Sequence, residues 1–316
     1  MTGASETTAA DAQLELLRPE LAAHLEAIPD YRPGDVDLIR ATMEAAIGVG
    51  LPAPSEVVTV DAGGGRGVEL RIHRPSGVRS GGALLHVHGG GFVMGSAALY
   101  DGVCRELAEA TACTVVAVDY RLAPEHPYPA GLDDCALAWS WLAAHAESLG
   151  VDASRLALYG ESAGAALAMG VAHRLRSSDD QPAAAIVLQE PVVDDRLSSA
   201  SSQRFTRTPI WNRALAEWSW DLYLGSARSS PPREAAPARL ADFVGFPPTF
   251  ISTRDLDPLR DEGLALARRL IDEGVAVELR HYAGTLHGTL GIIGPRVRER
   301  ILRDAVEFVI ERLSTN

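Results

Sequence analysis

The sequence predicts an α/β fold on a mostly parallel central sheet of about eight strands flanked by helices. From residue 83 onward, short apolar runs alternate with helical segments, as buried parallel strands and their crossover helices do. The 316 residues, 47% hydrophobic and 22% charged, suffice for a sizeable core in one enlarged domain or two. No run approaches 18 consecutive apolar residues, so no membrane-spanning helix is expected.

The N-terminal part opens with a helical turn at Pro19, with Leu21, Leu25 and Ile28 at helical spacing. A second helix is expected over Asp35 to Ile47, closed by Pro52 and Pro54. Val57, Val58 and Val60, then Val68, Leu70 and Ile72, read as two strands joined across Gly63, Gly64, Gly65 and Gly67. That glycine cluster is a turn and not a phosphate loop, because no helix follows it and no lysine accompanies it. The further strands are Ala83 to Val87, Thr114 to Asp119, Arg155 to Tyr159, Ala184 to Leu188, Pro248 to Thr253 and Val275 to Tyr282. Helices are expected over Leu99 to Thr111, Gly131 to Leu149, Ala163 to Leu175, Leu259 to Glu273 and Arg296 to Leu313.

One interval breaks the alternation. From Asp194 to about Asp242 the chain is too long for a simple crossover and carries Trp211, Trp218 and Trp220. These aromatics either roof a site or anchor the insertion to the core. The expected organisation is N-terminal helices over 1–50, a first core part over 51–193, the insertion over 194–242, and a second core part over 243–316.

Composition excludes several chemistries. All 29 basic residues are arginine, which removes a phosphate-loop lysine, a pyridoxal Schiff base and a Ser-x-x-Lys pair. A net charge of −13 argues against nucleic acid as a partner. Cys104, Cys113 and Cys135 are odd in number, lack CxxC spacing and read as small buried hydrophobes. Met1 to Ala12 lacks the basic and apolar regions of a signal peptide, so a reducing cytoplasm is the expected compartment.

The sharpest local signal is Gly160-Glu161-Ser162-Ala163-Gly164, set between a strand and a helix. A serine on such a turn is held out at the sheet's carboxyl edge, with small neighbours relieving the crowding. His88-Gly89-Gly90-Gly91-Phe92 follows the strand Ala83 to Val87 and can turn backbone amides toward a ligand. Acyl transfer develops an oxyanion, for which Gly89, Gly90 and Ala163 are the expected donors. His86 and His88 share one strand face, but the further ligands of a metal site are not found.

A nucleophilic serine needs a base, and the base an orienting acid, here in the order Ser, Asp/Glu, His. His287, in Ala283-Gly284-Thr285-Leu286-His287-Gly288, follows the last strand. The acid comes from Asp255, Asp257 or Asp261 after the preceding strand. Asp257 is favoured, although Asp before Pro258 also suits a helix cap.

These blocks, together with Tyr120-Arg121-Leu122-Ala123-Pro124-Glu125-His126-Pro127 and Asp257-Pro258-Leu259-Arg260-Asp261, make the chain resemble the hormone-sensitive-lipase-like esterases and lipases (bacterial family IV) of the α/β-hydrolase fold. The resemblance covers roughly 83–313. It implies Ser162 as nucleophile, His287 as base, Asp257 as its orienter, and Gly89, Gly90 and Ala163 as oxyanion hole. It also implies a helical cap formed by the N-terminal helices and the insertion. Two positions depart from the pattern: Glu161, where Asp or Thr is frequent, and Thr289, where an aromatic is common. The expected activity is hydrolysis of short- to medium-chain acyl esters through an acyl-enzyme, without a cofactor. Lactone, carbamate or amide hydrolysis by the same residues, and a non-catalytic receptor on the same fold, are the alternatives. The substrate would be a small ester, and the C-terminal helix Arg296 to Leu313 offers a homodimer surface.

Overall fold

In the computed structural model, eight strands form one sheet in the order β1-β2-β4-β3-β5-β6-β7-β8. They are β1 (Glu56–Asp61), β2 (Gly67–His73), β3 (Ala83–Val87), β4 (Thr114–Asp119), β5 (Leu156–Glu161), β6 (Ala185–Gln189), β7 (Thr249–Leu256) and β8 (Val277–Leu286). The structure describes residues 14–29, 31–47 and 53–314; the signal-peptide reading at Met1 to Ala12 and the break at Pro52 lie outside them. Strands β3 to β8 pair in parallel, whereas β2 is antiparallel to both β1 and β4. The glycine cluster forms the β1–β2 turn, with Asp61 accepting a hydrogen bond from the Gly63 amide at 2.8 Å.

Helices cover both faces of the sheet, and the side-chain alternation of its strands explains why. Leu85, Val87, Leu158, Ile186 and Leu188 feed the core on one face, while Leu84, Tyr159, Ala185 and Val187 feed the other. The helix Ala163–Leu175 is buried continuously from Ala163 to Ala172. Its small residues permit this: a Cβ on Gly170 would stand 2.8 Å from Leu132 on the neighbouring helix Ala130–Ala144. Cys104, Cys113 and Cys135 are free and buried.

Several boundaries differ from expectation for physical reasons. The strands ending at Glu161, Gln189, Leu256 and Leu286 run past the predicted ends Tyr159, Leu188, Thr253 and Tyr282. They continue into polar residues because the site lies at those ends. The helix expected over Gly131 to Leu149 is split at His145 into Ala130–Ala144 and Ala146–Leu149. The first helix is only Pro19–Ala22, followed by a 3₁₀ turn over Leu25–Ala27. Helix Val36–Ile47 matches its expected span within a residue. Leu99 to Thr111 opens as a 3₁₀ turn over Ala97–Tyr100 and becomes helical only at Asp101.

Between β6 and β7 the insertion folds as two helices, Ala200–Arg204 and Arg213–Leu224, followed by 3₁₀ turns. Ser199 and Asn212 cap the two helices, accepting from the Ser202 amide at 3.1 Å and the Leu215 amide at 3.2 Å. Among the described residues, no helix is long and apolar enough to cross a membrane.

Candidate active site

Ser162 sits on a sharp turn between β5 and the helix Ala163–Leu175, with φ of 53°. A left-handed backbone at a non-glycine residue is strained and persists where the surroundings over-determine it. Those surroundings are the two glycines of the motif. A Cβ on Gly160 would lie 2.5 Å from the Gly164 carbonyl oxygen and 2.6 Å from Ala165 Cα, and one on Gly164 would run into the carbonyls of Val87 and His88. Ser162 is pinned by its amide donating to the Gln189 carbonyl at 2.8 Å and its carbonyl accepting from the Val192 amide at 3.1 Å.

The carboxyl ends of β7 and β8 bring two further side chains to this serine. Ser162 Oγ is 2.9 Å from His287 Nε2, and His287 Nδ1 is 2.9 Å from Asp257 Oδ2. All three residues are buried. Asp257 Oδ1 also accepts from the Leu259 amide at 2.9 Å, so the carboxylate caps the turn and faces the histidine at once. The rival carboxylates point elsewhere. Asp255 accepts from the Gly284 amide at 3.0 Å, and Asp261 accepts from the Ser201 amide at 2.7 Å and from Arg260 at 2.8 Å. The separation follows from a register shift between Arg254 and Leu256 where β7 pairs with β8.

Burial disfavours a charged His287, yet the Asp257 and Glu190 carboxylates more than offset it and hold the imidazole above its ordinary value. Sequence reasoning missed Glu190. It is buried just past β6, Oε1 accepts from the Gly288 amide at 2.8 Å, and Oε2 lies 3.0 Å from Arg254 Nε. The polar pair Gln189-Glu190 ahead of Pro191 at a strand's end was the available signal. Ligand atoms of Glu190, Asp257 and His287 lie within 4.8 Å of one another. Each is already engaged, Asp257 with His287 and Glu190 with Arg254 and Gly288, so the cluster reads as a hydrogen-bonded network and not as a cation site.

The glycine run forms the facing wall. A Cβ on Gly89 would stand 3.3 Å from Ser162 Cβ and 3.0 Å from the Tyr100 hydroxyl, and one on Gly91 would stand 2.5 Å from the Trp211 ring. The run is held from behind by His88, stacked on Tyr120 at 4.1 Å, whose hydroxyl donates to the His88 carbonyl at 2.9 Å. His86 does not join His88 in any ligand set; it pairs with Glu161 at 3.1 Å. Burial opposes charge on His86, but Cys104 and Glu161 outweigh it and push its pKa up to about 10. Glu161 is thus tied into the sheet beneath the serine. Thr289 closes the histidine turn, its hydroxyl donating to the Leu286 carbonyl at 2.6 Å. An aromatic still stands beside the histidine: the Trp211 ring centre is 5.8 Å from that of His287.

Ser162 and His287 open into a cleft of about 320 Å³. Its walls are mostly apolar and come from three parts of the chain: Ile28, Tyr31 and Met43 from the N-terminal segment, Ile210 and Trp211 from the insertion, and Leu290 and Ile292 after β8. Of the insertion's tryptophans, Trp211 lines the cleft, whereas Trp220 is fully buried against Phe92, with ring centres 5.1 Å apart. One stands at the cleft beside His287 and the other packs the segment onto Phe92.

Residues 84–291 match the family described as having the alpha/beta hydrolase fold. The chain is 38% identical over 214 residues to the esterase LipI of Mycobacterium tuberculosis, a match spanning 67% of this chain and 66% of that protein. It is 35% identical over 232 residues to an ethyl acetate hydrolase of Pseudomonas putida, covering 71% of each. Among solved structures, a bacterial heroin esterase superposes with a TM-score of 0.90 at 38% identity, covering 96% of this chain and 99% of that one. A strand-turn-helix serine, a histidine after the last strand and a matching fold over most of the chain agree: the protein belongs to the α/β-hydrolase family, in its hormone-sensitive-lipase-like group.

Proposed function

We propose that Ser162, His287 and Asp257 are the catalytic triad of this carboxylic ester hydrolase, which cleaves short- to medium-chain acyl esters through an acyl-enzyme. The observation that carries the reading is the unbroken line of hydrogen bonds from Ser162 Oγ through the imidazole to Asp257, 2.9 Å at each step. His287 takes the serine proton as Oγ attacks the ester carbonyl, and Asp257 holds the ring and stabilises the imidazolium. The tetrahedral oxyanion forms against backbone amides, the alcohol leaves with the proton from His287, and water repeats the sequence.

The proposed donors are Gly89, Gly90 and Ala163. Gly89 and Gly90 both line the cleft beside Ser162, which supports that placement. The N-terminal segment and the insertion form the cap in this reading, supported by their residues lining the cleft together. An apolar cleft of about 320 Å³ suits an acyl chain of modest length. The three buried free cysteines support a reducing, cytoplasmic setting. Ser162→Ala is expected to abolish hydrolysis of a chromogenic butyrate ester; near-wild-type turnover in that variant would refute the nucleophile assignment.

A further inference from the structure

We propose that Glu190 is a positioning residue for His287: it fixes the histidine loop through Gly288 and supplies a second carboxylate charge beside the imidazolium that forms during acyl transfer. The inference rests on the triad reading above.

Four observations carry it. Glu190 has φ of 42°, a left-handed backbone that a glutamate adopts only where its surroundings hold it there. It is 4% exposed, and an ionised carboxylate so buried needs charged and hydrogen-bonding partners. Both partners are specific. Oε1 accepts from the amide directly after the histidine, and Oε2 faces Arg254. Arg254 is itself fully buried, donating to Ser252 Oγ at 2.9 Å and lying over the Tyr282 ring at 5.3 Å. Finally, a Glu190 oxygen lies within 4.8 Å of a His287 ring nitrogen.

The groups facing His287 are Asp257 after β7, Glu190 after β6, Arg254 on β7, the Ser162 hydroxyl at the elbow and the uncharged Trp211 ring from the insertion. Two carboxylates therefore oppose one guanidinium, and that guanidinium is tied to the far oxygen of Glu190. Burial pushes the Glu190 carboxyl above its ordinary value, and the charges of His287 and Arg254 and the Gly288 amide oppose that rise, so its charge is drawn out most strongly when the imidazole is protonated.

The test is the pH profile of kcat/KM. Glu190→Gln keeps an acceptor for the Gly288 amide but removes the charge. Its acid limb is expected about one pH unit lower than wild type, with a plateau reduced roughly tenfold. Glu190→Asp keeps the charge and should leave the limb near its wild-type position. If the single Gln variant does not fold because Arg254 is left unpaired, the double variant Glu190→Gln with Arg254→Leu removes both charges. It should move the limb in the same direction by less, because Glu190 faces the imidazole and Arg254 stands behind it. A limb unmoved in Glu190→Gln, or in the double variant where the single one fails, would overturn the proposal while leaving the triad intact. Failure of the triad itself would appear instead as turnover by Ser162→Ala.

Discussion

At the scale of single residues, three aspartates of similar local chemistry are separated by where each side chain ends. Asp257 alone reaches His287; Asp255 braces the Gly284 amide and Asp261 the Ser201 amide. Asp257→Asn is therefore expected to lower kcat by about 10⁴-fold, the scale seen when a triad aspartate is neutralised. Asp255→Asn should stay within about tenfold of wild type, and steady-state kinetics of the two variants decides between them. The raised pKa of His287 fixes the sign of the pH dependence. The imidazole accepts the serine proton only when neutral, so kcat/KM falls as pH drops through a value above the ordinary imidazole value of about 6.5. A profile whose acid limb lies below that value would contradict the electrostatic account. Ser162 and His287 were legible in the sequence because their local context is distinctive. The sequence favours Asp257 but keeps Asp255 as its nearer rival, because a register shift between strands bears on which of the two reaches the histidine and no local pattern encodes that shift. Glu190 left only a faint signal, the polar pair before Pro191, because its place beside the site comes from adjacency of β6 to β7 and from the histidine loop 98 residues away in sequence.

At the scale of elements, the elbow and the glycine run are one unit. Gly164 belongs to a helix, where alanine normally gains up to about 1 kcal/mol over glycine. Here the added methyl would meet the carbonyls of Val87 and His88, which lead directly into the glycine run. Gly164→Ala is accordingly expected to destabilise the fold by about 1–3 kcal/mol and to lower kcat by displacing the proposed oxyanion donors. Denaturant unfolding and turnover measured together check this, and a stabilised, fully active variant would contradict it. Strand interiors were legible because continuous apolar runs mark buried parallel strands. Their carboxyl ends were not, because Glu161, Gln189 and Leu286 adjoin polar residues that break the apolar pattern where the sheet becomes a site. The tryptophans could not be sorted either, since composition does not distinguish Trp211, beside His287, from Trp220, packed on Phe92.

At the scale of the whole molecule, the sheet brings the carboxyl ends of β3, β5, β6, β7 and β8 to one rim, where an open α/β sheet binds ligands. Residues of the N-terminal segment and of the insertion, far apart in sequence, both line the cleft at that rim. Fold and triad leave the substrate open, so acyl preference belongs to these walls. Met43 stands on the N-terminal wall of the cleft. Met43→Trp should shorten the accepted acyl chain, lowering kcat/KM for a hexanoate ester at least about tenfold relative to acetate, the scale set by a lost methylene-sized space. A panel of acyl lengths reads this out, and an unchanged preference would remove the N-terminal segment from the pocket.

The most direct measurement is peptide mass mapping of enzyme acid-quenched during turnover of a slow chromogenic ester. The expected result is the acyl mass on the peptide carrying Ser162, absent when His287 is replaced by alanine. Acyl transfer to a different residue, or steady turnover with no covalent species formed at any time, would contradict the account.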